Sequence, residues 1–324
     1  MKKLKKNIRH SQRVSDAPYS NWVDRHCPLW SKPFLKLSRI DRPIGTWLLL
    51  LPCWWGSSLA ICSNSGHFGY RDYWILLACT IGAVLMRGAG CTWNDINDRH
   101  FDAKVFRTKL RPLPSGQISM NQALVWLLIQ LSLSFLILLT FNQFAILVGL
   151  CSLIPVAIYP FAKRFTWWPQ FFLGISFNWG ILLSFAAHTN TIEPSAIILY
   201  LAGIFWTLFY DTIYAFQDTE DDALIGLKST ALLFGDHAKY WLAFFIFIIF
   251  LMMQLSFSLI SHLHFVSEAA LRGGSVMFCF HLIWQLWKLD IYDSHLCLKL
   301  FRANRNSGLI IIFFAFISIV FPMQ

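Results

Sequence analysis

Six aspartates in two polar stretches carry the strongest chemical signal in this chain. The first stretch reads Asn94-Asp95-Ile96-Asn97-Asp98-Arg99-His100-Phe101-Asp102, followed by Arg107, Lys109 and Arg111-Pro112-Leu113-Pro114-Ser115-Gly116. It leaves directly from an apolar run long enough to cross a bilayer. Carboxylates packed at a membrane edge repel one another and lose hydration, a cost that cations must offset. On a helix Asn94, Asp98 and Asp102 repeat at i, i+4 and i+8 and share one face, with Asp95 flanking it. Hard oxygens on one face suit Mg²⁺, which takes one or two carboxylates and completes its shell with water and substrate phosphates. In the second stretch Asp211, Asp218 and Asp222 fall at i, i+7 and i+11, which predicts a shared helical face again. Either stretch alone reads equally well as a solvated loop between membrane helices. Two of them ask for cations.

Three plus three carboxylates would hold two Mg²⁺ ions on a diphosphate, with Asp95, Asp98, Asp218 and Asp222 at the centre of the chemistry. Lys109, Arg111, Arg87 and Lys228 could neutralise the remaining oxygens. Arg87 lies within an apolar run and needs a partner there, whereas Lys109 also suits an ordinary loop charge. An allylic diphosphate bound in this way has its leaving group stabilised, so its C–O bond can ionise. The resulting cation needs apolar or aromatic walls that exclude water. An electron-rich carbon must then attack it. Arg164, at a span boundary, could pair with an acceptor carboxylate, though its position equally suits a loop charge. Asn178 and Tyr214 could hydrogen-bond an acceptor hydroxyl, and each also suits a bond between helices.

The elements that must position these groups are membrane helices. Of 324 residues, 56% are hydrophobic and only 14% charged, with a mean hydropathy of +0.52, which describes an all-α polytopic membrane protein. About nine spans fit, roughly 44–62, 74–93, 122–140, 143–161, 170–187, 195–215, 240–260, 270–288 and 307–323. Eleven of the 27 Lys and Arg lie in residues 1–42, and thirteen more fall in 94–121, 161–168, 216–239 and 288–306. Only Arg71, Arg87 and Arg272 remain. This alternation predicts that the amino terminus and both acidic stretches face the cytoplasm. It also explains the net charge of +10 as a topology signal, which argues against nucleic acid as a partner and for the lipid bilayer.

Residues 1–38 read as a basic arm, partly interfacial through Trp22, Trp30 and Phe34, ahead of one membrane domain over 39–324. The arm has no apolar core of a cleaved signal, and Asp16 and Asp24 weaken a mitochondrial presequence. The expected location is a bacterial inner membrane, with the mitochondrial inner membrane as the alternative. Eight scattered cysteines without a CxxC pair point to small buried thiols.

These residues resemble the UbiA-type intramembrane prenyltransferases. The family motif NDxxDxxxD is matched by Asn94, Asp95, Asp98 and Asp102, and DxxxD by Asp218 and Asp222 with Asp211 upstream. Asp41-Arg42-Pro43-Ile44-Gly45-Thr46, Arg111 to Gly116, Tyr159 to Arg164 and Gly226 to Ala231 resemble the branch that prenylates 4-hydroxybenzoate in ubiquinone biosynthesis. The resemblance, which covers Arg39 to the last span, implies nine helices around a central cavity under a cytoplasmic cap. It implies that the Asp motifs bind Mg²⁺ and polyprenyl diphosphate, and that the chain is transferred ortho to the phenol of 4-hydroxybenzoate. Arg164 becomes the candidate contact to the acceptor carboxylate. A haem O or menaquinone type of acceptor is the rival within the family. A cation-coupled transporter is the rival outside it, disfavoured because the carboxylates cluster at one membrane face and no inverted repeat is evident.

Overall fold

A computed structural model describes residues 21–63, 68–103, 108–260 and 263–320, with the side chains of 220, 221 and 225 outside the description. Every regular element among them is helical. The helices are α1 (Trp22–His26), α2 (Lys32–Leu37), α3 (Ile44–Ser63), α4 (Tyr70–Asp102), α5 (Met120–Leu138), α6 (Gln143–Cys151) and α7 (Leu153–Phe165). They continue as α8 (Pro169–Thr189), α9 (Pro194–Ala215), α10 (Thr219–Ile225), α11 (Thr230–Phe234), α12 (Ala238–Ser258), α13 (Phe265–Lys288) and α14 (Ser294–Val320). Eight helical segments among the described residues are long and apolar enough to cross a membrane, so the chain is a multi-pass membrane protein. The ninth long helix, α13, begins earlier than the apolar run suggests. Its first turns carry Glu268 and Arg272, paired at 2.7 Å, which dilute the apolar window.

Local chemistry explains where the rods bend and stop. The rod from Gln143 to Phe165 is broken at Ser152, and Pro155 is the cause: it has no N–H to give the carbonyl four residues back, at Cys151. Asn142 starts that rod by accepting from the Ala145 N–H at 2.8 Å.

The chain divides into two compact units. The first comprises Met1–Thr46 and Val84–Leu136, and holds the first acidic stretch. Its core is Leu37, Leu113, Ile118 and Ala123, with Phe34, Ile96 and Trp126 packed against them. The second comprises Trp47–Ala83 and Ile137–Gln324, and holds the second acidic stretch. Within it α9 is the most enclosed rod, packed on α8, α12 and α14. Trp55 stacks on Trp206 with ring centroids 4.8 Å apart, and both indoles donate to α14, at the Gly308 carbonyl and the Asn304 side chain. Gly308 leaves the room these rings need, because a Cβ there would meet Leu51 and Trp206.

Candidate active site

In the first unit the acidic stretch is the last part of α4, so Asn94, Asp98 and Asp102 do lie on successive helical turns. Asp95, the flanking residue, is the most enclosed of the group at 0% exposure, with Asp98 at 1% and Asp102 at 7%. Two guanidiniums offset the cost of burying Asp95. Arg39 donates to its Oδ1 at 2.6 Å and Arg111 reaches the same oxygen at 3.4 Å. Arg111 also donates to Asp102 Oδ2 at 2.7 Å, bridging two carboxylates seven residues apart.

The bridge is built by the loop that follows the helix. Thr108 returns its hydroxyl to the Asp102 carbonyl at 2.9 Å, and the Arg111 N–H bonds the Thr108 carbonyl. The Pro112 carbonyl takes the Ile118 N–H, while Leu113 and Ile118 enter the core beside Ile96. The Pro-rich sequence is thus a clasp that returns Arg111 onto α4. Lys109 is exposed, and Arg107 lies outside the described residues.

Arg39 reaches Asp95 from a backbone in the left-handed region, φ 58°, which is uncommon for a residue with a side chain. Its neighbour Ser38 is pinned from α5, where Trp126 and Gln130 both donate to its hydroxyl, at 2.8 and 2.9 Å. A Cβ at Gly88 would strike the Gln130 amide and Ser38, so this approach also depends on glycine. Sequence reasoning missed Arg39 as a site residue. The available signal was the need of a buried carboxylate for a cation, combined with the basic residues just before the first span. Arg87, which it did select, packs its guanidinium on Gly45, where a Cβ would lie 2.5–2.6 Å from the guanidinium atoms.

Among the described residues, Asp95 Oδ2 and Arg111 Nε are buried without a hydrogen-bond partner. Such groups carry a desolvation cost unless something meets them. An uncompensated carboxylate oxygen beside an uncompensated guanidinium N–H matches a ligand that presents both a cation and an anion. Among the described residues no three His, Cys, Asp or Glu side chains gather into a metal cage. The free Asp95 Oδ2 is a hard oxygen that suits a divalent ion taking one or two carboxylates and completing its shell with phosphate oxygens and water.

In the second unit the expected single helical face is corrected. The helix α9 ends at Ala215, so Asp211 lies on one helix while Asp218 and Asp222 belong to the next turn of structure. Gln217 ends α9 by directing both its backbone N–H and its side-chain amide to the Tyr214 carbonyl, at 3.2 and 3.0 Å. Asp218 then occupies the N-cap of α10, and its carbonyl accepts the Asp222 N–H at 2.8 Å. Gly226, at φ 71°, closes α10, and the Leu227 N–H returns to the Asp222 carbonyl at 2.9 Å. Asp211, Asp218 and Asp222 are all half-buried.

This turn is fastened to α7 and α8. The Lys228 N–H donates to the Lys163 carbonyl at 3.0 Å, which sets Lys228 against the Lys163–Arg164 end of α7. Its ammonium lies 5.6 Å from the Trp167 ring centroid. Arg164 itself is exposed, over the Phe161 ring at 5.2 Å. Thr230 gives its N–H to Gln170 at 3.1 Å and shares a 2.6 Å hydroxyl contact with Thr212. Tyr214 lies against Phe301 with centroids 4.5 Å apart. Asn178 is fully buried, donating to the Gly174 carbonyl at 2.9 Å and to Thr207 at 2.8 Å, which ties α8 to α9.

Comparison with known proteins gives the family. The mitochondrial 4-hydroxybenzoate polyprenyltransferase of Rattus norvegicus is 44% identical over 282 residues, covering 86% of this chain and 73% of the relative. That of Arabidopsis thaliana is 43% identical over 295 residues, covering 90% and 70%. The structure of a UbiA homolog from Archaeoglobus fulgidus bound to GPP and Mg²⁺ superposes with a TM-score of 0.66 at 21% identity, covering 89% of this chain and 99% of that one. A sequence model described as the UbiA prenyltransferase family matches residues 49–317, and this chain belongs to that family.

Proposed function

We propose that this protein transfers a polyprenyl chain from polyprenyl diphosphate to the ring carbon ortho to the hydroxyl of 4-hydroxybenzoate, releasing diphosphate, in ubiquinone biosynthesis. The observation that carries the reading is the 43–45% identity to 4-hydroxybenzoate polyprenyltransferases over most of the chain. The buried Asp95 with its unmet oxygen, flanked by two arginines, supplies the chemistry. Metal–diphosphate ligation is assigned to Asp95, Asp98 and Asp102 in the first stretch and to Asp211, Asp218 and Asp222 in the second. A divalent ion such as Mg²⁺ held by these carboxylates would supply charge neutralisation to the diphosphate leaving group.

The protein's own groups then have distinct tasks. Arg39 and Arg111 orient Asp95 by meeting its Oδ1, and Oδ2 is the oxygen that would face a metal ion. Arg87, Lys109, Arg111 and Lys228 offset the diphosphate charge, and the Asn94 amide donates to a diphosphate oxygen, as the C–O bond breaks and its electron pair leaves with the diphosphate. Arg164 orients the acceptor through its carboxylate, so that the ring carbon beside the phenol forms the new C–C bond and then loses its proton. Tyr214 lines the acceptor side, while Asn178, fully buried between α8 and α9, holds those two helices together.

The relatives named above are mitochondrial, which favours the mitochondrial inner membrane over the bacterial one as the location. The alternation of basic loops supports acidic stretches on the inner, cytoplasm- or matrix-like side. The reaction is tested in membranes containing the protein, Mg²⁺, an all-trans polyprenyl diphosphate and radiolabelled 4-hydroxybenzoate. Label entering the organic phase, and lost in the Asp98→Ala protein, is the expected result. Transfer only to a different acceptor would discard the branch while keeping the family.

A further inference from the structure

The Pro28–Ser31 turn leaves two large apolar side chains uncovered: Leu29 is 83% exposed and Trp30 77%, with Trp22 beside them in sequence on α1 at 50%. The turn is nevertheless firmly built. Lys36 on α2 pairs with Asp24 on α1 at 2.8 Å, Lys32 donates to the Asp24 carbonyl at 2.8 Å, and Asn21 caps α1 through the Asp24 N–H. Burial works against the charge on Asp24, and the contacts of Lys36 and Asn21 outweigh it, holding its carboxyl below the ordinary value so that the staple stays ionised at neutral pH. The other end of α2 is anchored: Leu37 is in the core of its unit and Phe34 lies on Trp126 with centroids 5.4 Å apart. A rigid pair of short helices thus presents an apolar tip at its free end.

We infer that Leu29 and Trp30 are a wedge that inserts into the headgroup region of an anionic phospholipid bilayer. The occupant follows from position and charge. The turn precedes Ile44, where the first membrane-crossing helix begins, by few enough residues that it cannot lie far from the bilayer surface. An apolar tip of this size exposed to water would be costly, whereas Trp and Leu at headgroup depth are stabilised. Eleven Lys and Arg in residues 1–42, against three Asp, complement an anionic leaflet. Because α2 runs directly into Ser38 and Arg39, the wedge also fixes the segment that carries the cation paired with Asp95.

The test uses the full chain in lipid nanodiscs, with Cys27→Ser and Cys151→Ser removing the more accessible thiols and Trp30→Cys carrying an environment-sensitive fluorophore. Expected are blue-shifted emission and its loss when the lipids bear quenchers near the headgroup, both stronger in discs containing phosphatidylglycerol than in neutral discs. Water-like emission that lipid quenchers do not reach overturns the proposal. Blue emission that only a second, acceptor-labelled copy quenches overturns it too, by assigning the tip to a protein contact. Neither readout depends on turnover, so the identity of the acceptor does not enter.

Discussion

Arg39 and Asp95 meet at 2.6 Å although 56 positions separate them, the arginine from a left-handed backbone before the first span and the aspartate at the end of the second. Such a conformation costs on the order of 1–3 kcal/mol and persists where surrounding contacts over-determine it. Here Trp126 and Gln130 grip the preceding serine. Arg39→Gln removes one of the two cations on a fully buried carboxylate, a change that costs about 3 kcal/mol. Turnover should fall by about two orders of magnitude. The Mg²⁺ concentration for half-maximal rate should rise, which a purely structural defect would leave alone. Arg39→Gly separates the two contributions: it relieves the backbone and should still lose activity. Wild-type rates in the glycine variant would remove the guanidinium from the site.

Arg111 bridges Asp95 and Asp102, so its removal exposes both carboxylates to each other. Arg111→Lys keeps the charge but cannot span two carboxylates with one planar fork. Lysine should therefore rescue little of the activity lost in Arg111→Ala. A lysine variant close to wild type in initial-rate assays would reduce the bridge to simple charge.

Gly45 gives Arg87 the surface on which its guanidinium lies, and a Cβ there would fall 2.5–2.6 Å from three guanidinium atoms. Gly45→Ala should displace that cation without introducing a polar group. A rise in the KM for polyprenyl diphosphate is expected, with the KM for 4-hydroxybenzoate little changed and the loss of stability within about 1–3 kcal/mol. Equal changes in both KM values would deny Arg87 a diphosphate role.

The spans were legible because a bilayer demands about 20 apolar residues, and only α13, with Glu268 and Arg272 in its opening turns, blurred that signal. The spacing of Asn94, Asp98 and Asp102 suits a helix but left a loop equally open, and α4 does run through all three. In the second stretch the spacing misled. Asp211, Asp218 and Asp222 satisfy a helical spacing, yet Gln217 caps the Tyr214 carbonyl and ends α9 between them. Period cannot report a side chain that competes for the backbone. Arg39 was hidden differently, because no local pattern ties it to Asp95. Only packing around Ser38 makes that pair.

The loop carrying Lys228 is fastened to the end of α7 by the Lys228 N–H on the Lys163 carbonyl, which brings two candidate binding cations, Lys228 and Arg164, into one neighbourhood with different assigned partners. Lys228 follows the second acidic turn and is assigned to diphosphate; Arg164 is exposed on the Phe161 ring and is assigned to the acceptor carboxylate. The two variants should therefore split. Arg164→Ala should raise the KM for 4-hydroxybenzoate about tenfold or more, the cost of losing one charge-assisted bond, with little effect on the prenyl diphosphate. Lys228→Ala should do the opposite, and its backbone anchor remains because alanine keeps the N–H. Substituting phenols that lack the carboxylate sharpens the comparison: wild type should lose its advantage over Arg164→Ala with them. If both variants shift the same KM, the two cations serve one substrate and the assignment of Arg164 fails.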